Sequence, residues 1–457
     1  MIQSSITQQK ELEGQGITQK VREVEEATER TVIEVERKAR RRLRTFDALK
    51  HRNFRLFWFG QLVSLIGTWM QTIGQEWLVL QLTHSPLALG IVGALQFLPI
   101  MLFALFGGLV ADRLPKRRVL LFTQSFAMLQ AAVMAILVTT GHIQIWHVYI
   151  LAFLLGCTNA IDMPSRQSFI SELVGRDDLA NAIGLNSSLF NMARIVGPGL
   201  GGLLIAWFGT SFLFVINAVS FVPVITGLAL IDISRLYASP RRQAQPTSAQ
   251  GTLKSLREGL SYIKQTPIVL LTIAVVGAVS LFGINFNVVL PLFATTILKV
   301  GPSGYGFLSS CYGIGSLVAA LWIASRGKRP PLKQILLACI AFSVLEMVFS
   351  LSNLPALSFV LIALVGATQI SFSAAANTTL QTMTPDHLRG RIMSVYTLVF
   401  VGSIPIGNLF TGGLANTFGA SVSLLAGGAI SLIAAIIGWF KRAPAEQYLE
   451  QSRTVRS

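Results

Sequence analysis

From residue 55 to residue 440 the chain alternates between long apolar runs and short polar connections. An α-helix rises 1.5 Å per residue, so about 20 apolar residues cross the hydrocarbon of a bilayer. Twelve runs meet that length, at approximately 55–82, 87–111, 119–139, 145–164, 181–207, 211–232, 267–298, 304–325, 332–351, 356–378, 391–414 and 418–440. The first is the least uniform: Gln61, Ser64, Thr68, Gln71, Thr72 and Gln75 recur at intervals of three and four, with Glu76 at their edge. That spacing gathers them on one helical face. It predicts a helix lining an aqueous cavity, with Glu76 as a proton acceptor; hydrogen bonding to neighbouring helices is the alternative.

The connections differ as sharply as the runs. All but three of the 37 lysines and arginines fall before the first run, after the last, or in every second connection; the exceptions are Arg55, Arg194 and Lys299. Cationic connections remain in the cytoplasm, so both termini are predicted there, as an even number of crossings requires. The chain then divides into a partly helical cytoplasmic extension over 1–45, a six-helix bundle over 46–232, a polar cytoplasmic linker over 233–266, a second six-helix bundle over 267–440 and a tail over 441–457. The extension carries eight glutamates and no apolar stretch of signal-peptide length. A faint heptad through Ile17, Val21, Val24, Thr28, Thr31 and Val35 leaves open a solvated helix or a coiled coil. Its basic end, "ERKARRRLR", suits anionic lipid headgroups.

Composition agrees with an all-α membrane protein: 52% hydrophobic, 13% charged, mean hydropathy +0.60. The net charge of +16 does not read as nucleic-acid binding, because the cations form short blocks between apolar runs rather than one basic domain. Cys157, Cys311 and Cys339 lie inside apolar runs without zinc or disulfide spacing, and His142 and His147 share a short outer loop without carboxylates, so no metal site is predicted. No phosphate-binding G-x-x-x-x-G-K-[ST] occurs, which removes a built-in ATPase and leaves no enzymatic reading.

The sequence also repeats itself. "FLLGCTNA" around Gly156 matches "ALVGATQI" around Gly366, and "GGLLIAWFGTS" at Gly209 matches "GGLANTFGAS" at Gly419, both 210 residues on. Two parallel six-helix halves with a ligand site between them is a transporter architecture.

One cytoplasmic connection carries a more specific pattern. "GGLVADRLPKRRVLL", residues 107–121, resembles the G-x-L-A-D-R-x-G-R-K-x-x-L signature of the major facilitator superfamily, with Gly108, Ala111, Asp112, Arg113, Lys116 and Arg117 matching and Pro115 replacing a glycine. The resemblance covers about residues 46–440 and is greatest to the enterobactin exporter and macrolide efflux branch, whose "LTHSPLALG" is also present. It implies the major facilitator fold, twelve transmembrane helices and a plasma-membrane (cell inner membrane) location. It also implies that this loop latches the two halves on the cytoplasmic side, the N-terminus of helix eleven with Arg389 and Arg391 being the expected partner of Asp112. The equivalent "SRGKRPP" of the second half keeps the cations and lacks the acid, so it reads as topology alone.

A second motif resembles that of proton-coupled exporters in the same superfamily: Gly184, Ala193 in place of glycine, Gly197, Pro198, Gly201 and Gly202. Small residues permit close helix approach, and ordinary packing is the alternative. An arginine common in such exporters is replaced by Ala152.

Ionisable and amide groups inside the runs complete the candidate pathway, because such groups are costly in lipid. They are Gln61, Thr68, Gln71, Gln75, Glu76, Asp162, Asn191, Arg194, Asn285 and Asn377, with Asn287 and Tyr396 less placed. Asp162 and Arg194 lie at similar depth and are expected to pair; Glu346 is expected at the outer interface. The reading that follows is a monomeric secondary transporter exporting a small organic compound, such as a siderophore or macrolide, in exchange for protons, with no cofactor beyond the proton gradient. Proton-coupled uptake, and a non-transporting sensor or scaffold on a transporter fold, are the alternatives.

Overall fold

The computed structural model describes residues 44–237, 249–326 and 331–444; the heptad of the N-terminal extension and most of "SRGKRPP" lie outside them. Among the described residues every regular element is helical. A short turn, Arg44–Lys50, leads into α1 (Arg52–Thr83), α2 (Pro86–Arg113), α3 (Lys116–Thr139), α4 (Ile145–Val174) and α5 (Leu179–Ala229). The second half contains α6 (Ala249–Gln265), α7 (Pro267–Phe282), α8 (Phe286–Leu292), α9 (Gly301–Arg326), α10 (Leu332–Ser350), α11 (Pro355–Met383), α12 (Asp386–Phe418) and α13 (Ala420–Phe440). Among the described residues ten helical segments are long and apolar enough to cross a membrane; α1, with its polar stripe, is not among them.

At 51 residues α5 would span about 76 Å if straight, far more than one bilayer. It breaks at Gly209, where φ 79° and ψ 171° suit only glycine. Gly419 repeats the device between α12 and α13 at φ 87°, ψ 167°, 210 residues on. The other repeated glycines behave alike. Gly156 of α4 packs on the backbone of α2 at Gln96, and Gly366 of α11 packs on the backbone of α9 at Tyr312.

Three boundaries depart from the hydropathy reading. α4 continues through Pro164 to Val174, because beyond the polar "PSRQS" its residues Phe169, Ile170 and Leu173 find a buried core with Phe57 and Leu120. The run 267–298 breaks at Gly283–Asn285 into α7 and α8, which ends in a π-turn, Phe293–Ile297. Within the linker α6 is an ordered amphipathic helix, held by Glu258 pairing with Arg391 and by the Tyr262 hydroxyl donating to the Met383 carbonyl at 3.3 Å.

Candidate transport pathway

Two helix pairs make most of the contact between the halves, α5 with α9 and α2 with α12, and both cross on glycine. A Cβ built on Gly202 would lie 3.0 Å from the Gly306 Cα, and one on Gly412 would lie 3.0 Å from the Gly90 Cα. Backbone therefore meets backbone at both crossings. The exporter-like motif uses two faces of one helix: Gly197 and Gly201 pack on α1 at Trp69 and Met70, whereas Pro198 and Gly202 face α9. Beside this crossing Tyr305 of α9 donates its hydroxyl to the Glu76 carboxylate of α1 and stacks on Trp77 at 6.4 Å. Ser310 donates to the Ile195 carbonyl at 2.6 Å, and Ser85 to the Asn416 side chain at 3.3 Å. One end of the seam is sealed.

The opposite end is not fastened in this way. Asp112 is exposed and makes no hydrogen bond or ion pair among the described residues, so the expected contact with Arg389 and Arg391 is not formed. Those arginines are engaged within their own half. Arg389 pairs with Asp386 at 2.5 Å and donates to the Gln381 carbonyl, and Arg391 pairs with Glu258. Two cations of the loop are bound inside the first half. Lys116 pairs with Glu172 at 2.8 Å, and Arg117 donates to the Leu228 and Ala229 carbonyls at 2.7 and 2.6 Å, where a cation complements the C-terminal end of α5. Arg113 is exposed.

Between the two ends lies Arg194. Its guanidinium sits over the Tyr312 ring of α9 at 5.1 Å, a cation–π contact across the seam. Asn191, one turn away, donates to its own helix at Ser187, and Asn377 of α11 accepts from Gln381. The predicted Asp162–Arg194 pair is overturned. Asp162 pairs with Arg166 on the next turn of α4, and its carboxylate also accepts from Thr123 at 2.6 Å and Gln124 at 2.8 Å. Arg166 in turn donates to Gln61. The Asp162 carboxylate is buried and satisfied within the first half by a partly buried Arg166, and the pair leaves Arg194 to the seam.

The stripe on α1 is corrected in the same way. Gln61, Ser64, Gln71 and Gln75 are buried, and Gln71 donates to Gln130 at 3.1 Å while accepting from Asn217. Thr68 and Thr72 bond to their own helix. Gln71 and Gln61 thus reach neighbouring helices rather than an aqueous cavity, although Gln61 Nε2 and Gln130 Nε2 are left without a partner; of the stripe, Glu76 reaches the seam. Asn285 stands at the α7–α8 break inside the second half, donating to the Leu281 carbonyl at 2.9 Å. Glu346, expected at the interface, is 2% exposed. His147 accepts from the Gln144 amide as part of a helix cap, and no metal-binding cluster occurs among the described residues. Sequence reading missed Arg166, Glu172, Tyr305, Tyr312 and Glu258, each defined by a partner on another element or on an unsuspected extension of one.

Two helical halves meeting along a glycine seam, with a lone arginine between them, define a multi-pass transporter rather than an enzyme. The chain matches the family model described as transmembrane secretion effector over residues 43–455 and belongs to that family, within the major facilitator superfamily. It is 30% identical over 81% of its length, and 91% of the relative's, to the multidrug efflux pump Tap of Mycolicibacterium fortuitum. To the staphyloferrin A transporter of Staphylococcus aureus it is 24% identical, covering 79% and 89%. To the enterobactin exporter EntS of Escherichia coli it is 25% identical, covering 80% and 85%. The fold is similar to that of the nucleoside transporter NupG, with a TM-score of 0.66 at 14% identity over 86% of this chain and 98% of that one. It is a plasma-membrane protein that moves small molecules.

Proposed function

We propose that the protein exports an organic compound in exchange for protons by alternating access, with twelve crossings once α1 and the second limb of α5 are added to the ten apolar spans. The observation that carries this reading is the asymmetry of the seam: backbone-tight crossings at Gly90–Gly412 and Gly202–Gly306 toward one end, and at the other an exposed Asp112 that makes no hydrogen bond or ion pair among the described residues while Arg389 and Arg391 pair within their own half. With the cationic connections in the cytoplasm, the loose end is the cytoplasmic one, where a compound enters before export. Arg194 and the Tyr312 ring form the first polar station below the seal and suit a carboxylate, catecholate or macrocyclic oxygen. The names of the relatives, a multidrug pump and two siderophore transporters, agree with a large, moderately polar cargo. The protein works as a monomer without a cofactor, the proton gradient supplying energy, and the basic block before α1 holds anionic lipid.

The test uses inside-out vesicles with an acidic lumen and a labelled panel of siderophores and macrolides. Accumulation that collapses with the gradient, and is impaired by Asp112→Asn at equal membrane insertion, is the expected result. A protein that is inserted yet accumulates no compound in either direction of the gradient would sink the reading.

A further inference from the structure

The second half holds one carboxyl that the pathway does not use. Between residues 267 and 385 Glu346 is the only acid. It lies on α10, 2% exposed, and with Asn285, Phe286, Thr411, Ser423 and Leu424 it lines a cleft too tight to admit water. Gly427 and Gly428 of α13 leave room for the carboxyl: a Cβ at these positions would lie 3.6 and 3.5 Å from its oxygens.

Its surroundings contain unpaired polar atoms. Glu346 Oε2 and Asn285 Oδ1 are both buried acceptors without a hydrogen-bond partner, and the Ser431 hydroxyl nearby on α13, which can donate or accept, is unpaired as well. The Asn285 amide nitrogen is committed to the Leu281 carbonyl, so only its oxygen is free for the cleft. Among the described residues no cation faces the acid. α7, α8, α11 and α13 contain no ionisable side chain, and those of α12 are confined to Asp386–Tyr396, about 22 Å or more along the helix from Thr411. The titratable neighbours are the Cys339 thiol on α10 itself and the Tyr312 phenol on α9, with Arg194 beyond that ring. Lys333 is 13 residues back, roughly 20 Å along α10.

A carboxylate without water or a cation is not sustained in such a place. A proton on Glu346 removes the unsupported charge and turns an unpaired acceptor into a donor facing the cleft it shares with Asn285. We propose that Glu346, with Asn285 and Ser431 beside it, is a proton-binding site inside the second half, loaded while the cleft is shut and emptied when the α7–α8 break at Gly283–Asn285 opens it. The proton leaves as H⁺ and the carboxyl becomes a carboxylate; no other bond changes. Broken helices are where transporters expose polar backbone and bind ions, and here the break carries the amide that shares the cleft. The coupling part of this proposal rests on the proton-exchange reading above; the occupancy of the site does not.

Two measurements separate those parts. Infrared difference spectra of the full-length protein in nanodiscs, between neutral and alkaline pH, should show the C=O stretch of a protonated carboxylic acid that Glu346→Gln removes and Glu76→Gln leaves. In proteoliposomes, Glu346→Gln should lose gradient-driven accumulation of a compound the wild type accumulates while keeping substrate–substrate exchange, which a folding defect would abolish as well. Persistence of the band in Glu346→Gln, its displacement by sodium in place of choline, or unchanged gradient-driven accumulation would each overturn the proposal. If the wild type transports nothing, the proton-exchange reading fails while the infrared band still decides whether Glu346 holds a proton.

Discussion

Asp162 accepts four hydrogen bonds from three side chains, two of them from its ion-pair partner Arg166, yet it makes no contact along the seam. Removing one member of a buried, satisfied pair strands the other, at a cost of about 3–5 kcal/mol, whereas removing both is close to neutral. Asp162→Asn should therefore lower the thermal midpoint of the purified protein markedly, and Asp162→Asn with Arg166→Gln should recover most of it. A transport defect in the double variant equal to that of the single would contradict a structural role. Tyr305 tests the opposite case. Its hydroxyl spans the two halves to Glu76, so Tyr305→Phe should loosen the sealed end with little effect on stability, read as increased labelling of a cysteine placed near Gly202 from the outer side.

At the scale of elements, Gly209 shows how one residue divides α5 into two limbs. Nothing lies within 4 Å of a Cβ there, so Gly209→Ala meets no clash and isolates the backbone strain, roughly 1–3 kcal/mol for an alanine in that conformation. The same substitution at Gly419 should cost a similar amount, and unequal losses in thermal unfolding would deny the repeat its mechanical equivalence. The loop motif and the exporter-like glycines were legible in the sequence because their information is local: glycine spacing fixes helix faces, and charge fixes a connection. Pairing was not. Lys116 finds Glu172 only because α4 runs ten residues past its apolar part, and Glu346 lies near the end of an apolar run that hydropathy places at the interface. What buries it is the pair Gly427–Gly428 on a helix some 80 residues away in sequence, a contact no periodicity encodes.

For the whole molecule, the seam makes a disulfide test available. Ser85 and Asn416 touch across the sealed end at 3.3 Å, so Ser85→Cys with Asn416→Cys, in a background lacking Cys157, Cys311 and Cys339, should cross-link on oxidation. Transport should stop and return on reduction. Full activity in the oxidised, cross-linked protein would mean that this end does not part during the cycle. Glu258 offers the complementary manipulation at the other end: Glu258→Gln frees Arg391 for Asp112 and should shift the population toward closure there, seen as protection of a cysteine at position 108 from labelling.

The glycine crossings have an electrical consequence. Where backbone abuts backbone there is no water to carry ions, so the transmembrane voltage falls across that thin layer rather than evenly through the protein. Gly202 and Arg194 are eight residues apart, about 12 Å, which puts the guanidinium beyond the insulator on the cytoplasmic side, where water admitted from that compartment would hold it at that compartment's potential. When the seal moves to the other end, this permanent charge changes compartments without travelling far itself, and the field does work on it of up to about 2.3 kcal/mol per 100 mV. The turnover of this protein should therefore depend on membrane potential even for an uncharged cargo, and Arg194→Gln should flatten that dependence in voltage-clamped vesicles.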